Sequence, residues 1–255
     1  MPRVRCARPP ATSGAGSVAP ADHETAAEHY RALLAEHLRG DEPPTACAER
    51  FAAPVRRAST AGLGEDATAE ILWAAWQPVL TTARTRPGTQ PALVALLVAL
   101  RELGPLPGAD RVWGLEVFTD LPCFGAQLRE ACDADPTGAV PLAAFAARLT
   151  TAGIDFSLHA LWALREHLEH PEPPADLAAV LRWAEHSGPV LAGFARTRRT
   201  YADHDRGPDR LGPLARDRGI RGHGFTPERW AFWRTRLAEL GTADARRALA
   251  FLPRR

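Results

Sequence analysis

In the run FAARLTTAGIDFSLHALWALREHLE, from Phe145 to Glu169, apolar side chains return every three or four residues, which is the spacing of one helix face and not of a strand. Stepping about 100° per residue from Leu158 puts Leu161, Trp162, Leu164 and Leu168 on one broad apolar stripe. Two charges fall inside that stripe. Arg165 lies between Leu161 and Leu158, and Glu169, one turn further on, between Leu158 and Trp162. Burying a charge costs several kcal/mol unless it is paired, so this i, i+4 pair is expected to be either a structural pin or the anchor of a ligand.

The same helical spacing recurs along most of the chain. Behind Asp22 as an N-cap, Tyr30, Leu33, Leu34 and Leu38 form an amphipathic helix that Gly40 closes, with His37 on its apolar side as a core histidine bonded to a carbonyl. A short helix is expected from Ala46 to Ala53, ending at Pro54. A longer one carries Leu72, Trp73, Trp76 and Leu80, with Pro78 bending or ending it. Leu and Val surround the whole circumference of Ala92 to Leu103, which predicts the central helix. Further helices are expected over Leu121–Cys132, Leu142–Thr151, Phe156–Glu169 and Ala175–His186. The last helix has the clearest start, with Phe225, Thr226, Pro227 and Trp230 as staple, N-cap, first-turn proline and staple partner. Strand patterns are almost absent, so the expected fold is all-α, about nine packed helices without a sheet. Residues 1–20 read as a disordered tail and 21–255 as a single all-helical domain.

Composition removes whole mechanisms. All 31 basic residues are arginine, and the chain contains neither lysine nor asparagine, which excludes Schiff-base lysine catalysis, a phosphate-loop lysine and an asparagine-oriented catalytic cysteine. Net charge is +1. Cys6, Cys47, Cys123 and Cys132 are scattered, without C-x-x-C spacing, and are expected to be reduced in a cytoplasmic protein. The longest apolar run, Ala92 to Leu100, is about half of the roughly 20 residues that a membrane span needs, so no membrane association is expected. No cofactor fingerprint is present: RGHGF has glycines but no preceding strand, so neither a cofactor nor a metal is expected.

Between His186 and Phe225 lies an arginine-rich loop, about residues 188–225, holding eight arginines and four aspartates. Its length suggests a lid, a binding loop or disorder. It supports a nucleic-acid or phosphate reading, for example transfer RNA, through Arg196, Arg198, Arg199, Arg218 and Arg221, with Tyr201 stacking on a base. Against this stand the near-neutral net charge and the interleaved Asp203, Asp205, Asp209 and Asp217. Asp203, His204 and Asp205 also offer metal-binding atoms, but adjacent residues point in different directions.

The segments FAARLTTAGIDFSLHALWALREHLE, PPADLAAVLRWAEHSGPVL and GFTPERWAFWRTRLAEL, in that order, resemble the fungal-type domain of unknown function 3632, the family of the oxopyrrolidine biosynthesis cluster protein G. The resemblance covers the second half of the chain, with WAAWQPVL and the apolar helix after it as the matching part of the first half. It implies an all-helical domain without an established activity. Some members are encoded beside secondary-metabolite genes, which points to small-molecule chemistry.

The residues themselves suggest a small-molecule site lined by Arg148, Trp162, Arg165, Trp230 and Trp233, with Glu166, Glu169 and Asp155 as candidate catalytic carboxylates. An arginine fork suits a carboxylate or phosphate, tryptophans give flat apolar walls, and a desolvated glutamate could serve as a base. The opposing reading is a buried ion-pair network that pins helix to helix among core tryptophans. A third is a non-catalytic interaction scaffold, for which the mark would be an exposed apolar patch. The sequence names no reaction, substrate or oligomeric state.

Overall fold

Eleven α-helices and one 3₁₀ turn account for the regular structure of the computed structural model, which describes residues 20–40, 42–105, 111–202 and 207–253. Among these residues there is no strand, and one isolated bridge pairs Val112 with Leu115. The tail expected at residues 1–20 lies outside the described residues apart from Pro20. The helices gather in two compact units that divide between Gly138 and Ala139.

The first unit contains α1 (Pro20–His37), α2 (Pro44–Thr60), α3 (Gly64–Thr85), α4 (Gln90–Glu102) and α5 (Phe124–Ala134). Helix α1 already includes Asp22, so that residue follows the helix start and does not cap it. The central helix is α3, which packs against α1, α2, α4 and α5. The expectation that Ala92–Leu103 would be central is corrected by burial: Leu93, Leu96, Leu97 and Leu100 are covered, while Val94 and Val98 are only half-buried. Aromatic rings run through the middle of the unit, Tyr30 against Phe51 at 4.6 Å, Phe51 stacked on Trp76 at 5.7 Å, and Trp76 edge-on to Phe124 at 5.4 Å. The Trp76 indole donates to the Pro122 carbonyl at 2.8 Å, so the one polar atom of this large buried ring is satisfied. His37 meets the Ala92 carbonyl at 3.1 Å, as a core histidine should.

The second unit holds α6 (Pro136–Thr151, beginning just before the boundary), α7 (Ser157–Leu168), α8 (Ala178–Arg196), α9 (Pro213–Asp217), α10 (Pro227–Leu240) and α11 (Ala243–Phe251). Helix α8 packs against α7, α10 and α11, and α10 also meets α7. Two helices beyond the expected nine, α9 and α11, are short, at five and nine residues. Thr226 caps α10 as expected, its hydroxyl accepting the Arg229 N–H at 3.1 Å, and Gly241 closes the helix in the left-handed conformation. The Phe225 ring meets Trp233 edge-on at 5.8 Å and reaches the helix one turn beyond its expected staple partner, Trp230.

Prolines interrupt the helices less than the sequence suggests. Pro54, Pro78, Pro141 and Pro189 all sit inside helices. Each removes a single backbone donor, a local loss that burial on either side can outweigh. Around Pro78, for example, Ala74, Ala75, Trp76, Val79 and Leu80 are all buried. Consequently α2 continues to Thr60, and α8 continues to Arg196, nine residues into the expected arginine-rich loop.

Candidate functional site

Helix α7 presents Ser157, Ala160, Leu161, Leu164 and Leu168 to the core. That face is rotated away from Leu158 and Trp162, so Arg165 lies at its edge, half-buried, and does not pair with Glu169. The Arg165 guanidinium donates to the Pro208 carbonyl at 2.9 Å, beside the Trp162 indole, which donates to the same oxygen at 2.8 Å. Burial and the neighbouring Arg210 and Arg229 guanidiniums lower the Arg165 pKa from its ordinary value.

Glu169 is fully enclosed, and its partner is Arg229 of α10, also fully enclosed. Glu169 follows the last helical residue of α7, where the chain leaves helical geometry and its side chain turns inward. Arg229 Nε donates to Glu169 Oε1 at 2.6 Å and Nη2 to Oε2 at 3.1 Å, a bidentate fork. Nη1 reaches the Asp209 and Gly224 carbonyls, both at 2.9 Å, and Nη2 the Arg210 carbonyl at 3.0 Å. All five guanidinium hydrogens are therefore used. The carboxylate is equally occupied, because Oε1 also accepts the Trp233 indole N–H at 2.7 Å and Oε2 the Gly212 backbone N–H. No donor or acceptor position remains to meet a ligand, so chemically the arrangement can hold the 209–224 backbone against α7 and α10.

Arg229 was missed in the sequence reading, although a signal for it exists. It lies four residues before Trp233 and eight before Leu237, on the buried side of α10, just as Arg165 had been placed on α7. Gly212 is required by the same packing, since a Cβ there would sit 2.6 Å from Glu169 Cβ.

A second charged group lies at the start of α7. Asp155 Oδ1 accepts the Ser157 backbone N–H at 2.9 Å and the Ser157 hydroxyl, which also bonds the Tyr201 hydroxyl. Asp155 Oδ2 pairs with Arg199, whose guanidinium stacks 4.6 Å over the Phe194 ring. Burial pushes the Tyr201 hydroxyl up to about 12, so this tyrosine is neutral and its hydroxyl is committed to Ser157 rather than to a base. The buried Ser157 has a carboxylate beside it and no histidine, which is not the geometry of an activated nucleophile.

The remaining candidates stand apart. Glu166 is 72% exposed, facing His170 at 3.8 Å. Arg148 is half-buried, and its Nε has no hydrogen-bond partner among the described residues. His186 is held below its ordinary pKa by burial and by the Arg148 and Arg182 guanidiniums, against an opposing pull from Glu185. Of the loop arginines, Arg198 pairs with Glu228 at 2.7 Å, Arg218 with Glu239 at 3.0 Å and Arg199 with Asp155. For these three arginines the carboxylates come from other elements; Asp209 is buried and accepts the Tyr201 N–H at 2.7 Å. Arg196 and Arg221 form no ion pair among the described residues. Asp203, His204, Asp205 and Arg206 lie outside them.

Among the described residues of this unit, a groove of about 740 Å³ lies between α8, α10 and α11. Ala192, Ala195, Trp230 and Leu249 form its floor, Ala231 and Ala238 line one wall, and Arg196 stands at its lip. Of the sequence candidates for ligand binding, Trp230 alone lines this groove. The Trp230 indole donates to the Pro253 carbonyl at 3.1 Å.

Fold and site together define an all-helical protein with a saturated ion pair at the heart of its second unit. A family model described as Protein of unknown function (DUF3632) matches residues 76–237, well over half of the chain, and the chain belongs to that family. The match starts within α3, inside the WAAWQPVL segment that carries the resemblance in the first half. No curated protein and no solved structure matches the chain. Among the described residues, no helix is long and apolar enough to cross a membrane.

Proposed function

We propose that this chain is a helical binding protein, an accessory of secondary metabolism, that takes a small apolar acid in the groove between α8, α10 and α11. The observation that carries this reading is the pairing of an apolar floor with two arginines of different standing: Arg234, which donates to the Leu252 carbonyl, and Arg196 at the lip. Arg196 is exposed and makes no hydrogen bond or ion pair among the described residues, whereas Arg198, Arg199 and Arg218 nearby all have carboxylate partners. The volume falls within the range of about 300–1,000 Å³ usual for small-molecule sites. An arginine fork would receive the acid, and the alanines and Trp230 would enclose the apolar body. This moves the binding role from Arg165, whose guanidinium is spent on a backbone carbonyl, to Arg196. Glu169 and Ser157 are both committed to internal bonds, which favours binding over catalysis.

Decanoate and decanol, compared in a thermal-shift titration, test the reading. Decanoate at about 100 times its dissociation constant should stabilise the protein by roughly 2.7 kcal/mol. Ala231→Trp, which fills the groove from an exposed position, should abolish the shift, and Arg196→Met should bring decanoate down to the level of decanol. Equal shifts for acid and alcohol in the native chain, or a shift that survives Ala231→Trp, would overturn it.

A further inference from the structure

Large apolar side chains stand in solvent at Leu63, Trp113, Leu115 and Phe251 among the described residues. Three of them belong to one corner of the first unit. Val112 to Leu115 form a tight turn closed by two backbone bonds, Val112 N–H to the Leu115 carbonyl at 3.1 Å and Leu115 N–H to the Val112 carbonyl at 2.9 Å. Trp113 and Gly114 both have positive φ, 55° and 75°, the signature of a type I′ turn. Val112 is buried and roots the turn, while Trp113 and Leu115 project outward, 38% and 40% exposed. The Trp113 N–H donates to Glu65 Oε1 at 2.6 Å, tying the turn to the first residues of α3, two positions from Leu63.

Trp113 is unusual in conformation as well as exposure. The first central position of a type I′ turn favours Asn, Asp or Gly, and a bulky aromatic there is strained. Three more non-glycine residues of this unit have positive φ: Phe118, Leu121 and Cys123. In each of those the strain is offset by burial, at 0%, 3% and 3% exposure. Trp113 has no such compensation within the unit. The Glu65 carboxylate holds the strained backbone while the ring is left uncovered, which suits a residue held ready for something outside the chain.

Charge says what that partner is. Glu65, Glu116 and Asp120 lie at the turn, and Asp66 follows Glu65 in the first turn of α3; Asp120 accepts the Glu116 N–H at 2.8 Å. Facing them are Arg111, already paired with Glu116, and Arg101, whose Nε donates to the Thr119 carbonyl at 3.0 Å. The corner is thus an apolar tip with an acidic rim. We propose that Leu63, Trp113 and Leu115 form the docking surface for a basic peptide segment of a partner protein, its apolar side chains packing on the Trp113 ring and its arginines or lysines meeting the rim.

The test uses the full chain and two labelled peptides, one alternating leucine with arginine and one alternating leucine with glutamate, read by fluorescence anisotropy. The basic peptide should bind and the acidic one should not. Trp113→Gly should weaken binding about tenfold or more while leaving the melting temperature equal or higher, because glycine relieves the left-handed strain and loss of binding then cannot be loss of fold. Leu115→Ser gives a second route to the same loss. Asp66→Asn, on an exposed carboxylate, should flatten the salt dependence. The proposal is overturned if both peptides bind equally, if neither binds, or if Trp113→Gly binds as well as the native chain. Trp113-dependent binding to phosphatidylcholine vesicles, or Trp113-dependent dimers in sedimentation, without a preference for the basic peptide would overturn it in favour of a lipid surface or a second copy.

Discussion

The two units solve the problem of their centres with opposite chemistry. In the first, Tyr30, Phe51, Trp76 and Phe124 lie ring against ring along α1, α2, α3 and the start of α5. In the second, an enclosed guanidinium and carboxylate share a bidentate fork and bind three carbonyls, an indole and an amide. Apolar rings contribute by area and shape, so another apolar group of similar size still fits. An ion pair contributes only when every valence is filled, and removing one partner leaves a stranded charge. The first centre is graded in its response to change and the second is all-or-none.

That contrast can be broken by mutation. Arg229→Met should destabilise the protein by about 3–5 kcal/mol in urea unfolding, leaving Glu169 charged and unpaired. Adding Glu169→Leu should return at least about 1 kcal/mol of that loss; a double variant worse than the single one would mean the carboxylate alone organises the loop. In the first unit, Phe51→Leu should cost only about 1–2 kcal/mol, and a cost equal to that of Arg229→Met would erase the distinction. The smallest effect sharpens it from another side. Arg199→Gln removes a half-exposed pair and should cost about 0.2–1 kcal/mol, less at high salt, whereas the Arg229 effect should be insensitive to salt because both partners are fully enclosed.

Helices were legible wherever apolar periodicity extended over several turns, and the Thr226 cap and the core role of His37 could be read from local chemistry. The ends of α2 and α8, expected at Pro54 and His186, were not, because whether a helix passes a proline depends on what its flanking residues bury, which is a tertiary fact. The buried glutamate was readable as an outlier on α7; its partner was not, because Glu169 and Arg229 are 60 residues apart and the pairing depends on how α10 meets α7. Arg165 was placed at the centre of the stripe because Leu158 was counted as core, and its half-burial rotates the true face. The Trp113 turn carried no usable signal, since a tryptophan at that position runs against the preference on which turn recognition rests.

Arg229 grips carbonyl oxygens, which every residue supplies whatever its side chain. The stretch from Asp209 to Gly224 is therefore held by its path and not by its composition, and most of its positions can change identity without loosening the clasp. The exceptions include Asp209, whose buried carboxylate accepts the Tyr201 N–H, and the two glycines at its closest approaches. A Cβ at Gly212 would meet Glu169, and one at Gly224, at φ 71°, would come within 2.2 Å of the Arg199 carbonyl. Sequence divergence among relatives should run freely through the arginines of this segment and stop at those two positions, at Asp209 and at the charge pair that binds them.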